Sequence, residues 1–394
     1  MQYLHQAFLM ASLALPAALQ AAEPPVAAAS VADSGPADPL HQDIGPEIVV
    51  TAGFGSNRLT VPAAVAVLEG EALMRDLRPS LGEMLANQPG VTSSFFGPAA
   101  SRPILRGLDA DRVRVLTDGI GSFDISAMSA DHAVALNPLT ADRIEVVRGP
   151  ASLLYGSSAI GGVVNVTDHR IALQVPDEWA HIDLTSALAS NARERSAAAL
   201  VDVPVGKSGL VLHADGSFQQ SDAYHAGGGR GRIDNSDGRT WQAAGGAVLI
   251  RDGGDMGFSV ARLENDYGIP DADFPGAEEG VRIDMRQTRA DARAGVDLAG
   301  AFERLNFRAG WADYRHDEVE EDGAIGTSFF ARAFEGRLEL VQRATGGWKG
   351  TSGVHYMERR VEVLGEEANI PLNRLRQFGL FAVESRDFGW LVVE

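Results

Sequence analysis

The chain has 394 residues, enough for two or three ordinary domains, and no cysteine, which excludes a disulfide framework and any thiolate metal site. Its 34 Lys and Arg stand against 53 Asp and Glu, a net charge of −19. A surface that acidic repels phosphate backbones and attracts cations, which argues against nucleic acid as a partner and leaves imidazole and carboxylate as the ligands for any metal.

Residues 7–22 form the only long apolar stretch, too short and too Ala-rich for a membrane span. It ends in Leu19-Gln20-Ala21-Ala22 before a polar segment, so residues 1–22 read as a secretory signal peptide, although Met1-Gln2-Tyr3-Leu4-His5-Gln6 lacks the usual positive charge. With no other helical span, a membrane fate has to come from β-strands. Residues 23–52 read as a flexible linker, rich in Ala and Pro up to Gly45. Near its end lies a short β-prone run, Glu47-Ile48-Val49-Val50-Thr51-Ala52. Such a run suits either the sheet edge of another protein or the first strand of the next domain.

Residues 53–171 read as a small α+β domain. Ser80 and Glu83 form a capping box ahead of a helix with Leu81, Met84 and Leu85 on one face, and Pro89-Gly90 ends it. Three β-like pieces follow at residues 113–116, 144–147 and 163–166, each bounded by turn residues. Two glycine groups invite a nucleotide reading. Gly161-Gly162-Val163 lacks the lysine of a phosphate-binding loop, and Gly53-Phe54-Gly55-Ser56-Asn57-Arg58 lacks the third glycine of a dinucleotide fingerprint. Both are read as turn glycines.

Several ordered runs resemble the plug domain of TonB-dependent outer-membrane receptors. They are Ser101-Arg102-Pro103-Ile104-Leu105-Arg106-Gly107, Asp111-Arg112-Val113-Arg114-Val115-Leu116-Thr117-Asp118-Gly119, and Asp142-Arg143-Ile144-Glu145-Val146-Val147-Arg148-Gly149-Pro150 with its continuation through Tyr155-Gly156 to Val166. The resemblance implies that Glu47, Ile48, Val49, Val50, Thr51 and Ala52 are the TonB box. It also implies partnership with TonB and its inner-membrane energising complex, and a place among outer-membrane lipids.

Residues 172–394 change texture to segments of about ten residues with dyad alternation, as in a transmembrane β-barrel. Leu210, Leu212, Ala214 and Phe218 alternate with Val211, His213, Asp215, Ser217 and Gln219, and Leu305, Phe307, Ala309 and Trp311 with Asn306, Arg308, Gly310 and Ala312. Tight turns near residues 206–208, 252–254, 299–300 and 345–347 alternate with long polar connections at residues 221–240, 266–282, 316–327 and 359–374. The expectation is an α+β plug followed by about eleven antiparallel strands, half of a roughly 22-stranded barrel rather than a soluble sandwich. Because residues 390–394 stop inside a strand, the chain reads as a C-terminally truncated fragment.

Further runs resemble the zinc-uptake branch of that family: Ser129-Ala130-Asp131-His132-Ala133-Val134, Tyr267-Gly268-Ile269-Pro270, Val281-Arg282-Ile283-Asp284-Met285-Arg286-Gln287 and the segment from His316 to Thr327. The resemblance implies plug ligands Asp131 and His132, joined by His316, Glu318 and Glu320 from the connection after residue 316, with zinc as transported cargo and no resident cofactor. Residues 271–279 depart from the branch, which often carries a His-rich loop there. Without the resemblance, the pair reads as a plug turn and the acidic run as a solvated loop. His213 and His355 read as lumen-facing polar residues on strands. No nucleophile–base constellation is present, so no enzyme is expected. Three functions stay open: a receptor for zinc or a zinc complex, a receptor for an iron chelate such as a siderophore or haem, and a non-transporting surface binding protein.

Overall fold

The computed structural model describes residues 48–49, 56–57, 64–270, 280–366, 368 and 370–394. The signal peptide, most of the linker and residues 53–55 of the first glycine group lie outside the described residues. Of the six-residue β-prone run, Ile48–Val49 is described, pairing with Ser56–Asn57 as a ribbon separate from the sheet that follows.

The plug is built on a five-stranded sheet of β1 (Ala64–Glu69), β2 (Val113–Thr117), β3 (Ile120–Gly121), β4 (Arg143–Arg148) and β5 (Gly162–Thr167), in the order β1-β4-β5-β2-β3. Only β2 and β5 are parallel. Helices α1 (Gly70–Arg75) and α2 (Leu81–Leu85) cover one face, where Leu81, Met84 and Leu85 pack with Leu68, Ile144 and Val164. The sequence expectation of a capping box is corrected here. Ser80 occupies the N-cap position but makes no capping bond, and the Glu83 N–H donates to the Ser101 hydroxyl at 3.0 Å instead. The first turn of α2 is therefore satisfied by a neighbouring loop. Gly162, read from sequence as a turn glycine, is the first residue of β5 and is required for packing: at φ +137° an added Cβ would lie 2.7 Å from the Val147 carbonyl and from Leu105.

Apart from two short ribbons, Val91–Ser93 with Pro103–Leu105 and His225–Ala226 with Gly231–Arg232, the remaining described strands form one 11-stranded antiparallel sheet in strict sequence order. They are β6 (His181–Ala189), β7 (Glu194–Pro204), β8 (Leu210–Ser221), β9 (Gly238–Arg251), β10 (Gly254–Gly268), β11 (Arg282–Asp297), β12 (Phe302–Val319), β13 (Ile325–Gln342), β14 (Trp348–Gly365), β15 (Asn373–Asp387) and β16 (Val392–Val393). Alternate residues face outward or toward the plug. On the outward face Trp311, Phe334, Tyr356 and Phe378 are exposed neighbours across β12–β15, an aromatic girdle of the kind that marks a membrane boundary.

Two long connections shrink. The segment expected to loop over residues 316–327 is strand at both ends, leaving residues 320–324, and that at 359–374 reduces to residues 366–372. β12, β13 and β14 each have 18 residues, beyond the 9–11 or so that cross a bilayer. Past the apolar band the outward face no longer has to be apolar, while the inward face packs on the plug with polar as well as apolar side chains, so the hydropathy alternation that identifies strands weakens there.

The inner face holds the plug by polar side chains aimed at backbone groups. Gln287 donates to the Ser122 carbonyl at 2.9 Å and Arg289 to the Gly121 carbonyl at 2.8 Å. Arg293 reaches the Ile171 and Ala172 carbonyls at 3.0 and 2.8 Å. Glu335 is buried and accepts from Arg114 at 2.8 Å, the Gly121 N–H at 3.2 Å and His355 at 2.8 Å. After β5, Arg170 pairs with Asp168 at 2.8 Å and with Asp215 at 2.9 Å, and His213 bridges Asp202 and Asp215 at 2.8 and 3.0 Å. His213 and His355 thus face inward, as expected.

Candidate metal centre

Between β3 and β4 the plug sends a loop toward the long-connection edge of the sheet. Asp124 closes that loop on itself. One carboxylate oxygen accepts from the Ser126 N–H at 3.0 Å and the Ser126 hydroxyl at 2.6 Å, and the other accepts from the Ala135 N–H at 3.1 Å. Ile125 anchors the loop with no exposed surface, and His132 at its far side is 2% exposed. His132 Nδ1 lies 3.4 Å from the Ile125 carbonyl, and Nε2 points away from the loop.

The barrel wall supplies the partner of Nε2 from β12. Dyad alternation runs on from the apolar stretch ending at Trp311, so Tyr314, His316 and Glu318 all face the plug and are buried. His132 Nε2 lies 3.3 Å from Glu318 Oε1, and His316 Nε2 lies 3.7 Å from the same oxygen. One ligand atom from each of His132, His316 and Glu318 falls within 4.8 Å of the other two. The imidazole centroids are 4.5 Å apart, and the Phe329 ring sits 5.1 and 4.4 Å from them. His316 Nδ1 is bonded to the Tyr314 hydroxyl at 2.9 Å, while its Nε2 is buried with no hydrogen-bond partner.

This is an unusual concentration of lone pairs. Two imidazole nitrogens and a carboxylate converge in a buried pocket, and a buried polar atom without a protein partner demands an explanation. A cation at the centre would satisfy all three. The donor set matches the nitrogen and oxygen preference of Zn²⁺, whose bonds to such atoms are about 2.0–2.2 Å long. Three protein ligands leave room for water or an exchanging group.

Of the five residues nominated from sequence, the structure brings together His132, His316 and Glu318. Asp131 precedes His132 in the chain but does not join the group; its carboxylate takes the Ser129 hydroxyl. Glu320 also stays out. β12 ends at Val319, just after a register shift that leaves Gly326 of β13 unpaired, and Glu320 enters an exposed tight bend where its N–H meets the Ala324 carbonyl at 2.9 Å. Sequence reading missed the supporting Tyr267, Tyr314, Phe329 and Asp124. For Tyr314 a signal existed, since it shares the parity of His316. The others come from distant strands and no local pattern joins them.

Residues 57–163 match the model of the TonB-dependent receptor plug domain. Among solved structures, the copper transporter OprC is similar at 16% identity with a TM-score of 0.65, covering 82% of this chain and 52% of that one. The ferric-catecholate import receptor Fiu from E. coli K12 aligns at 14% identity and a TM-score of 0.66, covering 86% and 59%. The siderophore receptor PirA from Pseudomonas aeruginosa aligns at 17% identity and a TM-score of 0.60, covering 82% and 53%. The chain spans about half the length of these structures, and at such identities the likeness is one of fold. That fold, a plug followed by a large antiparallel sheet, is the outer-membrane β-barrel architecture. Among the described residues no helix is long and apolar enough to cross a membrane.

Proposed function

We propose that the chain forms the plug and part of the barrel of a TonB-dependent outer-membrane receptor that takes up a divalent cation, with zinc as the best-fitting ion. The observation that carries this reading is the buried convergence of His132, His316 and Glu318, two on the wall and one on the plug. A site divided between two bodies binds while they are docked and is dismantled when either moves, as a release step requires. The net charge of −19, with Glu320, Glu321 and Asp322 in one turn beside β12, favours arrival of cations over anions. Residues 47–52 would serve as the TonB box. A short strand at Ile48–Val49, outside the plug sheet, supports that role.

The test is calorimetry of zinc binding to the full chain in detergent micelles. His132→Ala should weaken binding by about 10-fold or more, by analogy with losses from a sparse ligand shell. Equal affinity in wild type and variant would remove the reading.

A second reading rests on a separate feature. A cavity of about 470 Å³ between the plug and β13–β15 is lined by Arg102, Arg114 and Arg359 and also by Asp111, Asp124 and Glu335, with Arg114 already paired to Glu335. Its size falls in the range of small-molecule sites, and Arg102 and Arg359 are the groups that would meet an anionic iron chelate. Binding of a ferric chelate without binding of zinc would favour this alternative.

A further inference from the structure

We infer that Tyr267 is a positioning residue of the metal centre, a barrel side chain that clasps the backbone on both sides of His132. The inference rests on the metal reading. Tyr267 sits near the end of β10, where it pairs with Ile283 of β11, two strands away from the β12 residues that supply His316 and Glu318. Its ring is 1% exposed among Ile125, Ala133, Ile283 and Tyr314. Its hydroxyl accepts the Ala133 N–H at 2.9 Å and donates to the Asp131 carbonyl at 3.0 Å. A phenol has one proton to give and lone pairs to receive, so this one oxygen satisfies both backbone groups that flank His132.

The geometry has two consequences. First, the imidazole's own bond to the Ile125 carbonyl is long at 3.4 Å, so beside ring packing and the Asp124 closure the two bonds to Tyr267 are the short polar anchors next to His132. The placement of its Nε2 against Glu318 therefore depends on the clasp. Second, the contacts are to backbone, so they hold the loop whatever side chains stand at residues 131 and 133. The loop is tied to β10 by Tyr267 and to β12 by Glu318. A plug movement that breaks one tie strains the other, so loss of the clasp and loss of the metal ligand occur together.

The test is Tyr267→Phe, which keeps the buried ring and deletes only the oxygen. Two readouts are taken on the full chain in micelles. Hydrogen exchange of the Ala133 amide without metal should quicken by about 10-fold, the effect of losing a buried hydrogen bond of ordinary strength, while amides of β5 keep their wild-type rates. Zinc affinity should fall by a similar factor, and bound cobalt(II), used as a spectroscopic probe, should show an altered ligand-field spectrum as His132 leaves the coordination sphere. Faster exchange with unchanged zinc affinity and an unchanged cobalt spectrum would overturn the positioning role and leave the metal reading intact. Failure of the wild-type chain to bind either ion would overturn both, whatever the Ala133 amide does. General acceleration across β5 would show a folding defect and reject Tyr267 as a local clasp.

Discussion

Glu335→Ala should loosen the plug from the wall more than any single apolar truncation in the same interface. Glu335 is 1% exposed and carries three partners: Arg114 at 2.8 Å, the Gly121 N–H at 3.2 Å and His355 at 2.8 Å. The contact is built around this carboxylate, because a Cβ on Gly121 would lie 2.9 Å from its oxygen. Arg114 also donates to the Tyr155 carbonyl at 2.6 Å, so it cannot swing out to water without losing a second bond. Removing one partner of a buried pair costs about 3–5 kcal/mol. The unpaired Gly121 N–H would cost about 1–3 kcal/mol alone. The terms overlap because the groups share one network, so the working figure is about 4 kcal/mol, or roughly a thousandfold in the docking equilibrium. Urea titration in micelles, read by proteolysis within the plug, measures it. Glu335→Gln retains an acceptor for Gly121 and should fall between wild type and Ala. A loss under about 1 kcal/mol for the alanine variant, the level of an exposed ion pair, would refute the argument.

Two further outcomes follow from the plug. Burial, with Asp168 close by, raises the Asp118 carboxyl from 3.8 to about 8. A carboxyl raised on folding favours the folded state while protonated, so that contribution is full below about pH 4 and is lost as pH rises toward 8. Asp118→Asn should therefore flatten the pH dependence of plug stability across this window and stabilise the plug at pH 8. Urea midpoints that fall with pH equally in both proteins would refute it. Gly82→Ala sets helix propensity against packing: alanine is worth about 1 kcal/mol in a helix, but its Cβ would lie 2.6 Å from the Ser101 hydroxyl and 2.7 Å from the Arg102 backbone. Overpacking of about 1–3 kcal/mol should win and lower the melting temperature, and a higher one would show that the loop yields freely.

Much of the architecture was legible in residue order alone. Leu81, Met84 and Leu85 specify a helix with one buried face, and the alternation from Leu305 to Trp311 specifies a strand between lipid and lumen, because both patterns follow from the geometry of a single element. That same alternation, carried forward, puts His316 and Glu318 on the inner face. The capping of α2 was not legible, because Ser101 competes with Ser80 for the first turn and only the folded loop brings it there. Nor was the extent of β12, since beyond the bilayer a strand no longer has to be apolar on one side. The fate of Glu320 turned on the end of β12 just after a register shift, a property of two paired strands that neither carries alone. The centre itself was decided by tertiary structure. His132 and Glu318 lie 186 positions apart and meet only because the plug docks against β12, and Tyr267 of β10 bonds the backbone on either side of His132. Local sequence encodes which way a side chain points along its own element. Which other side chain it meets depends on how separate elements pack.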